Sequence, residues 1–125
     1  MGRDLSVGLI DLGLSQDPFS ATWWLAYSRL RIYRDYELFS QIAGYRGDAK
    51  QVVYPRFVNQ SVRVQWYTDE GIEDITENAH GEPLTFVTPA DCKKIDINLV
   101  NPANIPYIKM LAELHEDTAI LLYWC

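Results

Sequence analysis

The residues best suited to chemistry in this chain are a run of arginines and tyrosines. Arg29, Arg31, Tyr33 and Arg34 lead into the segment DYELFSQIAG, and Tyr45 and Arg46 leave it. A guanidinium offers a phosphate a planar fork of donors, and a tyrosine ring gives a base a face to stack on. Arg29, Arg31, Arg34, Tyr45 and Arg46 are therefore candidate ligand-binding residues for an anion such as a nucleotide. A simpler reading puts Tyr36 and Phe39 in a core and pairs the arginines with Asp35, Glu37 and Asp48. The sequence leans towards this second reading.

Charge supplies a second candidate. The net charge is −6, but residues 1–60 hold seven Lys/Arg against six Asp/Glu, while residues 61–125 hold four against eleven. Asp69, Glu70, Glu73, Asp74, Glu77 and Glu82 follow one another with no Lys or Arg between Arg63 and Lys93. Such a stretch disfavours direct binding to a nucleic-acid backbone, which needs a basic surface. It can steer a basic protein partner, so Asp69, Glu70, Glu73, Asp74 and Glu77 are candidate partner-binding residues. The plainer alternative is a solvated acidic loop.

Catalytic and metal signatures are missing. There is no phosphate-loop motif, no G-x-G-x-x-G turn and no G-x-S-x-G elbow. Carboxylate pairs such as Asp4 with Asp11, or Asp69 with Glu73, carry no sign of convergence. No catalytic residue, metal ligand or cofactor is assigned, and an enzyme built on Asp4, Asp11 or His80 ranks last among the readings. His80 sits in a polar loop, NAHGEP. His115 falls late in the last predicted helix, where it would meet the C-terminal dipole. Cys92 and Cys125 lack zinc or redox spacing and are expected to be reduced thiols of a cytoplasmic protein. No secretory leader and no membrane span is expected, and Cys125 lacks the residues of a prenylation box.

These side chains must be held by a small number of elements. At 125 residues and 48% hydrophobic, with four Trp, eight Tyr and four Phe, the chain suits one domain over 1–125. LSVGLIDL predicts a first strand. ATWWLAYSRLRIY predicts a long second strand, with Trp24, Ala26, Ser28, Leu30 and Ile32 on one face, pairing with the first as an antiparallel hairpin. Tyr36, Phe39 and Ile42 form the stripe of a short helix, with Asp35 as cap and Gly44 as terminator. SVRVQWY and LTFV predict strands. Thr88, Pro89 and Asp91 mark a helix start. IDINLV predicts a strand or extended connector, NIPYIKMLAELHED a helix and TAILLYWC a buried strand. The expectation is a compact α+β domain, a mostly antiparallel sheet with two or three short helices packed on one face.

One segment also carries a kinship. RDYELFSQIAGYRG resembles the Arg-Asn-Tyr-Asp-Leu-Phe…Leu-Ala-x-Val-Arg-Gly element of a family of small phage and prophage proteins. Those proteins open Met-Gly-Cys-Asp-Ile-His, where this chain has MGRDLS. Gly2 and Asp4 match, while Arg3 and Ser6 replace Cys and His. AHGEPLTFVTPADC is loosely similar to the family's His-containing loop and Leu-Thr helix start, through His80, Leu84 and Thr85. IPYIKMLAEL and TAILLYWC are similar to its closing helix and strand.

The resemblance implies a phage origin and no particular activity. With the acidic, aromatic-rich composition it leads to an accessory protein that inhibits a host protein, such as an immune effector, by docking on its basic surface. The alternative is a small-molecule binder that sequesters a nucleotide signal through the Arg/Tyr cluster. Exposed aromatic strands would suit a homodimer.

Overall fold

The computed structural model describes residues 2–11, 22–23, 29–59, 62–68 and 71–125. At its centre two long strands, β1 (Leu5–Asp11) and β8 (Thr118–Trp124), run antiparallel in unbroken register from Leu5↔Trp124 to Asp11↔Thr118. β3 (Leu30–Ile32) flanks β1. On the other side β7 (Thr85–Val87) and β4 (Arg56–Phe57) flank β8, so the five-stranded order is β3-β1-β8-β7-β4, antiparallel throughout. Side chains alternate across a strand. Leu5, Val7 and Leu9 with Ile120, Leu122 and Trp124 therefore face one layer, and Ile10, Ala119 and Leu121 face another. Burial on both faces explains the nearly continuous apolar run of β8.

Helices cover the first face. α1 (Tyr36–Ala43) starts where the Asp35 carboxylate accepts the Leu38 N–H, and it ends where Gly44 turns left-handed at φ 72°. α2 (Pro89–Cys92) opens with a reciprocal box, in which Thr88 Oγ1 accepts the Asp91 N–H and Asp91 Oδ2 accepts the Thr88 N–H. α3 (Ile105–Ala112) follows a 3-10 turn, Pro102–Asn104. Leu38, Phe39, Ile42, Cys92, Ile108 and Leu111 pack from these helices onto the sheet. None of these helices is long enough to persist alone in water, so this apolar burial is what holds them.

The second face meets a smaller sheet. β2 (Thr22–Trp23) lies parallel to β5 (Arg63–Thr68), which forms a hairpin with β6 (Gly71–Ile75). Val64 and Trp66 of β5 pack on Ile10, Leu84, Ala119 and Leu121. The result is a compact α+β domain with helices on one face, as the pattern predicted, and a second sheet beneath.

Several expectations are corrected. The predicted second strand is divided. Leu30–Ile32 pairs antiparallel with β1, but Thr22–Trp23 belongs to the other sheet; its central residues 24–28, with Trp24, Ala26 and Ser28, lie outside the described residues. The acidic stretch is not simply a loop, because Gly71–Ile75 is a strand. IDINLV forms turns rather than a strand. The last helix stops at Ala112, so His115 is beyond its dipole; its Nδ1 accepts the Asp117 N–H in the following turn.

Two buried amides fasten the helical layer. Gln41 Oε1 accepts the Asp96 N–H at 2.7 Å, and its Nε2 donates to Asp96 O at 3.2 Å. Asn104, 0% exposed, accepts the Tyr33 N–H and donates to Tyr33 O, both at 3.0 Å. Each buried amide satisfies both backbone groups of one residue, and so ties an irregular segment to the helical layer.

Candidate functional site

The corner where α1 ends collects the chemistry. α1 begins at Tyr36, and after it the left-handed Gly44 turns the chain so that Tyr45 and Arg46 return to the same corner. Aromatic rings then link edge to face: Tyr36 with Phe39 at 5.9 Å, Phe39 with Trp124 at 5.1 Å, and Trp124 with Tyr45 at 4.9 Å. A guanidinium caps each end of this chain, Arg3 over Tyr45 at 4.4 Å and Arg46 over Tyr36 at 6.0 Å. Arg3, Tyr36, Gly44, Tyr45 and Arg46 together line a hollow of about 220 Å³.

The predicted ion pairs do not form. Asp35 does not pair with arginine. Its carboxylate accepts from Leu38 N, Asn101 N and Asn104 Nδ2. Glu37 accepts the Asp48 and Ala49 N–H groups at 3.3 and 3.0 Å. Both carboxylates are thus spent on amides, and the arginines find other partners. Arg34 grips Asp4 with two bonds of 3.0 Å, with Arg31 at 3.7 Å from the same carboxylate. Arg3 pairs with Glu82 at 2.7 Å. Arg46 has no carboxylate partner among the described residues, only the ring of Tyr36.

Electrostatics follow from this pairing. The Arg3 hydrogen bond holds the Glu82 carboxyl below the usual range, helped by Asn78. The Arg34 hydrogen bond does the same for Asp4. Burial pushes the Tyr45 phenol up, with Glu82 adding to it. Tyr45 therefore stays protonated, and Arg3 donates to its oxygen at 3.3 Å.

One glycine is required by close approach. A Cβ on Gly47 would collide with the Tyr36 carbonyl and the Ser40 side chain, whereas a Cβ on Gly2 would meet only the movable ends of the Tyr36 and Arg34 side chains. The chain leaving α1 is thereby held against its first turn.

Of the five predicted ligand residues, Tyr45 and Arg46 enter the hollow, and Arg34 sits beside it on Asp4. Arg31, largely exposed, lies 3.7 Å from that carboxylate. Arg29 is elsewhere, 6.0 Å over the Trp66 ring on the second sheet. Arg3 and Tyr36 belong to the hollow and were missed, since sequence distance hides Arg3 from Tyr45.

The acidic candidates are dispersed. Asp69, Glu70 and the side chain of Asp11 lie outside the described residues. Glu73 and Asp74 are exposed on β6, the outer strand of its sheet, and Glu77 follows it. No Lys or Arg among the described residues forms a salt bridge with these three. His80 is exposed, its N–H held by Asn78 Oδ1. Among the described residues no three His, Cys, Asp or Glu side chains gather as a metal site, and no helix is long and apolar enough to cross a membrane. Cys92 is buried and its thiol is pushed up to about 12 by desolvation.

Comparison with protein-family models, characterised proteins and solved structures finds no match for the chain.

Proposed function

We propose that this chain is a binding protein that takes up an anionic small molecule at the corner formed by Arg3, Tyr36, Tyr45 and Arg46. The observation that carries this reading is the state of Arg46. Of the carboxylates expected to neutralise the arginines, Asp35 and Glu37 are bound to amides, and Arg46 stands over the Tyr36 ring and lines a hollow that holds a second arginine. An anion would meet one guanidinium that has no carboxylate partner among the described residues. Joined to the phage resemblance, the reading is a protein that sequesters a host nucleotide signal.

Calorimetric titration with inorganic pyrophosphate tests it. A charge-assisted bond contributes about 1.5–3 kcal/mol, so Arg46→Ala should weaken pyrophosphate by roughly 10- to 150-fold. Equal affinity in the parent and in a folded Arg46→Ala variant would sink the proposal, and so would no binding at millimolar concentration.

A second reading rests on β6. Ile72 is 60% exposed beside the acidic pair Glu73 and Asp74. An apolar residue next to acids that form no salt bridge among the described residues supports docking on a basic surface of a host protein, such as an immune effector. Reversal of Glu73 and Asp74 to Lys should then abolish capture of that basic partner. Retained capture would reject the β6 surface.

A further inference from the structure

Beside the arginine hollow lies a second one of about 360 Å³, lined by Tyr45, Gln51, Phe57, Asn78, Glu82 and Trp124 among others. Tyr45 lines both. The bond from Arg3 to Glu82 crosses between them, because Arg3 lines the first and Glu82 the second. The two hollows are therefore neighbouring lobes on either side of Tyr45 and the Arg3–Glu82 bond, and they differ in chemistry. The first presents guanidinium and phenol groups. The second presents aromatic faces and amides, with Phe57 lying 71% exposed at its edge.

The geometry points to a nucleoside phosphate as the ligand class, with phosphate in the first lobe and base in the second; this rests on the anion-binding reading above. Each portion of such a molecule meets a suitable group. Phosphate oxygens accept from Arg46 and Arg3. The base stacks against Phe57, whose exposed ring has no competing partner ring among the described residues. Gln51 donates its amide to Val53 O at 2.9 Å, which leaves its carbonyl oxygen, close to Gly44, as an acceptor for an exocyclic amine.

The ribose falls at Glu82. Its Oε1 accepts from Arg3 at 2.7 Å and from Asn78 at 3.2 Å, while Oε2 accepts only a 3.3 Å bond from Arg3. A carboxylate oxygen has room for two donors. Oε2 can thus take a ribose hydroxyl, which a phosphate could not offer it. A bare polyphosphate would instead push its charge towards Glu82, so the acid favours a sugar at that point. This placement separates the nucleoside phosphate from other anions that the arginines alone would accept.

The test compares adenosine 5′-monophosphate with ribose 5-phosphate by calorimetry, in the parent and in Phe57→Ala and Glu82→Gln. Base–aromatic stacking predicts that the nucleotide binds roughly 5- to 150-fold tighter than the sugar phosphate. Phe57→Ala should erase that difference and leave ribose 5-phosphate unchanged. Glu82→Gln should weaken both. If the two ligands bind equally to the parent, or if Phe57→Ala preserves the preference, the base lobe is overturned while the anion site stands. If neither ligand nor pyrophosphate binds, both proposals fall together. Phe57 is exposed, so its variant should keep the parent's unfolding midpoint, which confirms that any loss is local.

Discussion

Asp35 is the most informative single position for the fold that builds the corner. Its carboxylate is 7% exposed and accepts three bonds: Oδ1 takes Leu38 N at 3.2 Å, and Oδ2 takes Asn101 N at 2.7 Å and Asn104 Nδ2 at 3.2 Å. One side chain thus starts α1 and ties it to the turn before α3. Loss of an N-cap costs about 1 kcal/mol. Stranding a buried donor costs about 1–3 kcal/mol, and Asn104 has no solvent to turn to, although the Asn101 amide is near the surface. Asp35→Ala should therefore destabilise by about 2–4 kcal/mol. Asp35→Asn separates the two contributions. Asn caps helices as well as Asp does, so a cap alone predicts no change. In either amide orientation, however, an NH₂ group faces another donor, either Leu38 N or the Asn101 and Asn104 pair. The expected loss is about 2–3 kcal/mol, which at this chain length lowers Tm by on the order of 10 °C. Urea and thermal unfolding at neutral pH measure it, with an unchanged m value as the check that the states are comparable. An Asp35→Asn protein within about 0.5 kcal/mol of the parent, beside a clearly weakened Asp35→Ala, would refute the tie to α3 and leave only the cap.

Other outcomes follow from the same geometry. Phe39→Ala removes a ring that is 0% exposed and packed between Tyr36 and Trp124, and should cost about 3–5 kcal/mol by denaturant unfolding. Gly47→Ala forces a Cβ into the Tyr36 carbonyl, and a loss of about 1–3 kcal/mol is expected; a neutral result would mean the α1 exit can shift freely. The folded carboxyls of Asp4 and Glu82 are held low by Arg34 and Arg3, so their stabilisation is present above the ordinary carboxylate range and lost as pH falls through the lowered folded values. The double variant Asp4→Asn, Glu82→Gln should accordingly show a flatter acid limb in a plot of stability against pH. A bulky disulfide reagent should label Cys125, which is exposed, and reach Cys92 only after denaturation; two equally fast thiols in the native protein would contradict the burial of Cys92.

Local signals in the sequence were reliable where local physics decides the outcome. Asp35, Gly44, Thr88 and Asp91 act within one turn of themselves, so their capping roles could be read directly. The apolar run of TAILLYWC identified a buried strand, and the structure buries it on both faces. Failures occurred where partners are distant. Nothing near Arg34 indicates that Asp4 will outcompete Asp35 and Glu37. Those two acids sit beside arginines in sequence, but backbone amides from residues 38, 48, 49 and 101 claim them first. β6 was hidden for a related reason: Glu73 and Asp74 interrupt its apolar alternation, as suits an outer strand whose charges discourage pairing with another chain. Arg3 was invisible as a site residue because only the β1–β8 pairing carries it to Glu82 and Tyr45.

The corner also joins two segments that are far apart in sequence. Asp4 and Arg34 are 30 residues apart, yet they meet in one unit. Gly2 lies against the ends of the Tyr36 and Arg34 side chains, Asp4 accepts two hydrogen bonds from Arg34, and Gly47 lies against the Tyr36 carbonyl. The opening residues then divide between two faces. Leu5, Val7 and Leu9 face the helices, and Arg3 meets Tyr45 and Glu82 on that side. Alternation along β1 sends Ser6 to the opposite face. Residues 3 and 6 thus lie on different sides of the sheet. Chemistry at position 3 must instead be shared with Tyr45 and Glu82, which Arg3 contacts.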